Sequence, residues 1–325
     1  MLSIVIPVYN EHESLERLLG ELDEVARAHD YELEVIFVDD GSTDGSWSVI
    51  EQLAERDARV RGIKFRRNFG KTAALSAGFQ AADGDVVITL DADLQDDPAE
   101  IPRFLEALDG GLDLVSGWKQ VRHDPWHKVA ASRVFNFLVR RLTGVLLHDQ
   151  NCGMKAYRRE VLGEIRLYGE LHRFVPVLAA ARGFAIGEIP VHHRARQYGR
   201  SKYGVGRLLR GFLDLLTVTF LTGYGQRPQH LLGAIGLVSF LVGAVGLIYL
   251  AGFWTAAQLF PEWDLDPLHQ RPAVIYSVGA LLLGGQLMSI GFLAEMIAAY
   301  QHRDTDVYSI AKRTGCPPKE DTPPT

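Results

Sequence analysis

The sequence predicts an α/β domain with a mostly parallel sheet, followed by a membrane-surface helix and two membrane-spanning helices. Two observations carry that reading. Over residues 2–190, short apolar runs alternate with segments of helical periodicity, the pattern of strands joined by crossover helices. Farther on, residues 231–261 and 272–294 contain no Asp, Glu, Lys or Arg, and a helix needs about 20 apolar residues to cross a hydrocarbon core of roughly 30 Å. The competing reading is a pair of buried helices in a soluble core. It fits less well, because core helices are seldom apolar all round over such a length.

The elements follow in order. Residues 2–8 are an apolar run read as a strand. Residues 13–29 put Leu15, Leu18, Leu19, Leu22 and Val25 on one helical face. Residues 33–38 form a second strand, closed by the turn Asp39-Asp40-Gly41-Ser42 and a helix over about 45–56. A strand at 60–65 precedes an Ala-rich helix at 71–82, and 86–90 is a buried-type strand. Pro98 opens the next helix, where its missing N–H has no intrahelical partner to lose; 112–116 is a further strand. Ligands of such sheets gather at the carboxyl ends of the strands. Those ends carry Pro7-Val8-Tyr9-Asn10-Glu11, Asp39-Asp40 and Asp91-Ala92-Asp93. Carboxylates converging on one edge are poor design for stability alone and point to a metal or a hydroxyl-rich ligand.

Beyond residue 190, Arg194, Arg196, Arg200, Lys202, Arg207 and Arg210 occur with no acid among them. Residues 208–222 are amphipathic enough to lie on a membrane surface. Spans are expected at 231–254 and 273–297. The loop between them holds Glu262, Asp264 and Asp266 against Arg271, whereas basic residues precede the first span and Arg303, Lys312 and Arg313 follow the second. By the positive-inside rule both termini face the cytoplasm, and no basic leader precedes the first strand. The expected division is 1–205 as the folded domain, 206–229 as a juxtamembrane region, 230–300 as the spans and 301–325 as a cytoplasmic tail, Pro-rich and disordered at its end. The spacings Ser239-xxx-Gly243 and Ala280-xxx-Gly284 permit close helix packing and leave a homo-oligomer open. The two cysteines, Cys152 and Cys316, make no disulfide framework. The net charge of −6 says less than its local pattern.

Asp91-Ala92-Asp93 closes an apolar strand. Carboxylates at i and i+2 in that place can share a hard dication with a diphosphate. Two other D-x-D triplets, Asp264-Leu265-Asp266 and Asp304-Thr305-Asp306, read as loop charge. Asp96 or Asp97 reads as the cap of the Pro98 helix, His192-His193 as basic surface, and Cys152 as a small buried residue. Gly70-Lys71-Thr72 is not a P-loop, since Phe65 stands where that pattern needs glycine.

Several segments together carry a resemblance: Val5-Ile6-Pro7-Val8-Tyr9-Asn10-Glu11, Val38-Asp39-Asp40-Gly41-Ser42-Thr43-Asp44, Asn68-Phe69-Gly70-Lys71, Asp91-Ala92-Asp93-Leu94-Gln95, Asp149-Gln150-Asn151-Cys152-Gly153-Met154-Lys155 and Arg196-Gln197-Tyr198-Gly199-Arg200-Ser201-Lys202-Tyr203. Over nearly all of residues 1–210 the chain resembles glycosyltransferase family 2, in its dolichol-phosphate-mannose-synthase-like branch of polyprenyl-phosphate glycosyltransferases. The resemblance implies a GT-A type nucleotide-sugar-binding fold and inverting transfer of a sugar from a UDP- or GDP-linked donor to a polyprenyl phosphate. It implies that Pro7, Tyr9, Glu11, Val38 and Asp40 line the base and ribose, with Asp91, Ala92 and Asp93 completing the nucleotide-sugar site. Asp91, Asp93 and Gln95 would hold Mg²⁺ or Mn²⁺. Lys119, Arg133, Arg196 and Lys202 would bind phosphate, and Asp149, Asp93, Arg196 and Lys202 would serve catalysis. A phosphate monoester, with its second pKa near ~6, is largely ionised at neutral pH. Asp149, in the family's candidate base position, is therefore expected to position the acceptor or tune charge more than to take a proton. The expected partners are nucleotide-sugar, polyprenyl phosphate and membrane, and not nucleic acid. A processive polysaccharide synthase is the alternative enzyme, but the Q-x-x-R-W motif such chains usually carry is missing. A non-catalytic scaffold would have no use for the Asp91, Asp93 and Gln95 set.

Overall fold

The computed structural model describes residues 1–120, 126–194, 206–224, 227–260 and 271–301, without side-chain surroundings for 126–131, 206–210 and 299–301. The chain divides into two compact units, the first built on Met1–Val218 and the second beginning at Thr219.

The first unit holds a seven-stranded sheet. Its strands are β1 (Leu2–Val8), β2 (Leu33–Asp39), β3 (Val60–Lys64), β4 (Val86–Thr89), β5 (Leu114–Trp118), β6 (Lys155–Arg158) and β7 (Ile186–Pro190), in the order β3-β2-β1-β4-β6-β5-β7. Only β6 runs against its neighbours β4 and β5. The order reverses between β1 and β4, the crevice where open α/β sheets bind ligands. Register brings Val8 beside Asp39 and Val5 beside Thr89, so the acidic loops after β1, β2 and β4 share one edge. The reversed β6 pairs Lys155 with Thr89, which delivers the 149–154 segment to that edge as well.

Alternation along β1 builds two layers. Ile4 and Ile6 face one cluster with Leu15, Leu18 and Leu22 of α1 (Leu15–His29), Ile50 of α2 (Ser46–Arg56) and Phe104 of α4 (Ile101–Asp109). Val5 faces the other, with Ala74 and Leu75 of α3 (Lys71–Ala81). Each side chain of that size contributes about 1.5–3 kcal/mol when fully buried. A Cβ on Gly78 of α3 would lie 2.3 Å from Val5 Cγ1, so α3 packs this close to β1 because residue 78 is glycine. Pro98 opens a 3-10 turn, Pro98–Glu100, and not α4 itself. The strand expected at 112–116 starts two residues later because Asp113 turns to the chain at Ala185, whose N–H its carboxylate accepts. Helix α5 (Trp126–Thr143) contributes Phe135 and Val139 to a further cluster with Phe174 and Val177, the latter on α7 (Val175–Ala181). Leu215 and Val218 of α8 (Gly206–Tyr224) close it. The short α6 (Arg159–Glu164) follows β6.

The second unit carries α9 (Pro228–Leu259) and α10 (Pro272–Gln301), both long and apolar enough to cross a membrane. At 1.5 Å per residue α9 is roughly 48 Å long. Both helices outrun the expected spans, because hydropathy marks the apolar middle while Gln229, His230 and Gln258 extend α9 in polar residues. Their outer faces stay open: Val242, Ile248, Ile275 and Tyr276 are all more than 60% exposed. A buried pair in a soluble core would not leave them so. The two helices run antiparallel against each other through glycine. A Cβ on Gly243 would sit 2.4 Å from Leu281 N, and one on Gly284 would sit 2.4 Å from Phe240 N. Ser239 Oγ donates to Ala280 O at 2.8 Å. The small-residue spacings thus serve contacts within one chain. At the start of α9, the Glu295 carboxylate accepts the Gln229 N–H at 3.2 Å, an anion on a helix N-terminus.

Candidate active site

Three loops at the carboxyl edge are stitched together. After β1, Asn10 takes a left-handed φ of 55° and its Oδ1 accepts the Thr43 N–H at 2.8 Å. The Asn10 and Glu11 N–H groups donate to Ser42 Oγ at 2.9 Å and Ser46 Oγ at 3.0 Å. After β2, Asp39 Oδ1 accepts the Ser42 N–H at 2.9 Å. Asp40 accepts the Phe69 N–H at 2.6 Å and the Gly70 N–H at 2.9 Å, one on each oxygen. Burial pushes the Asp40 carboxyl up from its ordinary pKa although those two N–H groups oppose it. Gly41, at φ 72°, lets Arg67 pass: a Cβ there would lie 2.5 Å from the Arg67 carbonyl carbon. Pro7 is partly exposed and Tyr9 exposed at the rim, with Glu11 partly exposed. Val38 is fully buried within the sheet and Ala92 is 4% exposed, so the structure gives these two residues almost no surface to offer a nucleotide.

The turn after β4 carries the acids. Asp93 Oδ1 accepts the Gln95 N–H at 3.2 Å across Leu94, which is buried and held at φ 59°. Gln95 Nε2 approaches His193 Nε2 and Arg194 O, each at 3.4 Å. Arg194 in turn pairs with Glu21 at 2.6 Å and Asp97 at 2.7 Å. Asp97 is the cap of the 3-10 turn, accepting the Ala99 N–H at 3.0 Å. Asp96 points inward instead and pairs with Lys119 at 3.2 Å, with both side chains largely buried.

Lysines interleave with these acids. Lys71 Nζ pairs with Asp91 Oδ1. Burial works against the Asp91 charge, but Lys71, with Lys119 and Lys155 beyond it, holds the carboxyl down at about 2. Burial likewise opposes the Lys119 charge, and Asp96 first, then Asp91 and Asp149, hold its pKa above the ordinary lysine value. Lys155 is buried, donates to Cys152 O, and is pushed down by burial. Gly153 is indispensable between the acids: a Cβ there would lie 2.5 Å from Asp91 Oδ2 and 2.9 Å from Asp96 Oδ2. Among the described residues no three His, Cys, Asp or Glu side chains form a ready cage. Mg²⁺ is ordinarily held by one or two carboxylates together with substrate phosphates and water. The donor set fits such an ion: hard oxygens from Asp91 and Asp96 converge around Gly153, and Asp96 Oδ2 is buried without a hydrogen-bond partner among the described residues. Asp93 and the Gln95 amide stand on the same turn.

The 149–154 segment closes the site. Asp149 is buried and its Oδ1 accepts the Asn151 N–H at 3.1 Å. Cys152 is 1% exposed and burial pushes its thiol up to about 12, which suits packing and not nucleophilic chemistry. Beyond the end of β5 lies a cleft of about 370 Å³ lined by Trp118, Lys119, Arg133, Asn136, Arg140 and His148. His148 stacks on Trp118 with ring centroids 4.3 Å apart. Asn136, nearly buried, donates to His148 O at 2.7 Å and leaves its Oδ1 unbonded among the described residues. Phe137 and Val134, beside the cleft on α5, are 65% and 62% exposed.

The structure therefore brings together Asp91, Asp93, Gln95, Lys119 and Asp149, and places Arg133 on the neighbouring cleft. Arg196 and Lys202 lie outside the described residues. Sequence reasoning missed Lys71, Asp96, Gly153, Lys155, Asn136 and Arg140. Lys71, Gly153 and Lys155 stood inside quoted motifs. Asp96 read equally well as a cap, and nothing local marked Asn136 or Arg140.

Residues 3–166 match the family described as glycosyl transferase family 2. The chain is 38% identical over 309 residues to dodecaprenyl-phosphate galacturonate synthase of Rhizobium johnstonii, covering 93% of this chain and 89% of that protein. It is 40% identical over 299 residues to undecaprenyl-phosphate 4-deoxy-4-formamido-L-arabinose transferase of Pseudomonas fluorescens, covering 91% and 84%. Glucosyl-3-phosphoglycerate synthase from Mycobacterium tuberculosis, solved in complex with Mn²⁺, uridine-diphosphate and phosphoglyceric acid, shares the GT-A fold. Its TM-score is 0.53 at 20% identity, over 68% of this chain and 78% of that one. On the family match and the two curated identities, the chain belongs to glycosyl transferase family 2.

Proposed function

We propose that this enzyme transfers a sugar, with inversion, from a UDP- or GDP-linked donor to a polyprenyl phosphate at the cytoplasmic face of a membrane. The observation that carries the reading is the cationic cleft of Lys119, Arg133 and Arg140, set against the acidic turn after β4 and rimmed by the exposed Val134 and Phe137. A lipid-borne phosphate needs both features, cations for its head and apolar surface beside them. The names of the two curated relatives, both acting on polyprenyl phosphates, support the same acceptor class.

In the proposed reaction an acceptor phosphate oxygen attacks the anomeric carbon as the bond to the nucleoside diphosphate breaks. Lys119, Arg133 and Arg140 hold the acceptor phosphate. Asp96 first, with Asp91 and then Asp149 adding less, favours the charged form of Lys119; the role of Asp149 here is charge tuning, and no general base is required. The stitched loops at Tyr9–Glu11 and Asp40 receive base and ribose, with Pro7 at their rim and the buried Val38 and Ala92 supporting them from below. Asp91 with Asp93, Gln95 or Asp96 would hold a divalent metal, Mg²⁺ or Mn²⁺, which would supply electrostatic stabilisation of the leaving diphosphate. Arg196 and Lys202 are further cations proposed for that diphosphate.

Purified protein given a panel of nucleotide-sugars and polyprenyl phosphate is expected to move label into organic solvent. The double substitution Arg133→Ala, Arg140→Ala is expected to raise the acceptor KM at least about tenfold and leave the donor KM within about twofold, since charged hydrogen bonds contribute about 1.5–3 kcal/mol each. Label that stays in water, or a change in donor KM alone, rejects the acceptor assignment. In this reading the folded domain 1–205, the juxtamembrane region 206–229 and the tail 301–325 are cytoplasmic, and 230–300 spans the bilayer twice. In a Cys316→Ser background an impermeant thiol reagent is expected to label Glu262→Cys from the outer side only; labelling from the cytoplasm alone overturns the topology.

A further inference from the structure

We propose that Lys71 is the resident cation of the donor site: it occupies the Asp91 carboxylate until a divalent metal binds that carboxylate, and the released ammonium then turns to the diphosphate. The inference rests on the metal reading above and adds a residue to it.

Lys71 is the first residue of α3, and its backbone is fixed. Asp40 grips the Phe69 and Gly70 N–H groups that precede it, and Gly70 turns the chain into the helix at φ 96°. From that anchored point the side chain reaches Asp91 Oδ1 directly. The other two lysines near Asp91 are held elsewhere. Lys119 is on Asp96 at 3.2 Å and Lys155 is on Cys152 O. Lys71 is also the one with room to move: its side chain is 32% exposed, against 15% for Lys119, and Lys155 is buried. A dication on the Asp91 carboxylate weakens its hold on the Lys71 ammonium, because the two cations repel and the metal withdraws the carboxylate's charge. A compact charge on a flexible four-carbon stem can leave one anion for another nearby. The incoming diphosphate is that second anion. Lys71 thus balances the Asp91 charge before the donor binds and contributes a cation afterwards.

Mn²⁺ binding to the full-length protein in detergent, measured by electron paramagnetic resonance without nucleotide, tests this. Lys71→Met is expected to bind Mn²⁺ about fivefold more tightly than wild type, which is about 1 kcal/mol, the upper range for a partly exposed ion pair. Lys71→Arg keeps the pair and is expected to bind as wild type does. At saturating Mn²⁺ the turnover of Lys71→Met is expected to fall at least tenfold. Lys71→Gln serves should the methionine variant fold poorly. Unchanged or weaker Mn²⁺ binding by the Met and Gln variants overturns the proposal while leaving the metal at Asp91, provided Asp91→Asn loses Mn²⁺. If Asp91→Asn binds Mn²⁺ like wild type, the metal assignment and the role of Lys71 fall together.

Discussion

Asp91→Asn is expected to lower sugar transfer by about 10²–10³-fold, the scale on which removing one preorganised electrostatic group acts, with the fold intact. The asparagine keeps the shape against Gly153 but removes the charge that Lys71 meets and that Lys119 and Lys155 sense. EDTA is expected to reproduce the loss in wild type. The pH behaviour follows from the sign of the shift. The Asp91 carboxyl sits at about 2 when folded and near ~3.9 when unfolded. Its charge therefore stabilises the folded state fully above about pH 4, and that contribution fades as pH falls toward 2. With the side chain a third exposed, solvent screening keeps the stability share to about 1 kcal/mol or less. Initial rates at saturating donor, with thermal unfolding on the same samples, check both parts. Wild-type rates from Asp91→Asn, or full activity in EDTA after dialysis, would remove the donor site from this turn.

The reach of sequence reasoning followed the locality of each feature. Strands β1 to β4 and helices α1 to α3 announce themselves as apolar runs and 3.6-residue periodicity, and their limits agree to within a residue or two. β6 does not: Lys155-Ala156-Tyr157-Arg158 has polar ends and four residues. It is a strand because β4 and β5 flank it, and strand preference of that kind is set by neighbours. The two long helices were visible from charge-free length, but not that Gly243 and Gly284 would be used between them. The site shows the same division. Asp91-Ala92-Asp93 is a local motif, and so is Asp149 with its glycine. The ion pairs that give those acids their working state join residues far apart in sequence. Lys71 meets Asp91 across α3 and β4, and Asp96 meets Lys119 across α4 and β5. Such pairs become readable only when the sheet order is known, since β6 must enter in reverse between β4 and β5 to bring the segment before Lys155 against Asp91.

Gly153→Ala is expected to abolish transfer, by 10²-fold or more, through a single methyl group. The added Cβ would stand 2.5 Å from Asp91 Oδ2 and 2.9 Å from Asp96 Oδ2. Contacts that short cannot persist, so something must move. Asp91 is tied to Lys71, and Asp96 is buried against Lys119. The glycine backbone has little freedom either, because Thr89 Oγ1 donates to Gly153 O at 2.8 Å. Displacing either carboxylate by about 1 Å would spoil the placement of whatever cation they share, and misplacements of that size can cost about 10²-fold in rate. The stability cost should be smaller, about 1–3 kcal/mol as for other overpacked sites, since the strain can relax by turning one acid toward solvent. Activity and unfolding temperature thus separate two explanations. A large rate loss with a modest drop in unfolding temperature, accompanied by weakened Mn²⁺ binding, places the convergence of Asp91 and Asp96 at the centre of the donor site. A variant with wild-type turnover and wild-type Mn²⁺ affinity would mean that the two acids need not approach each other for catalysis, and the pairing around Gly153 would then be a packing feature only.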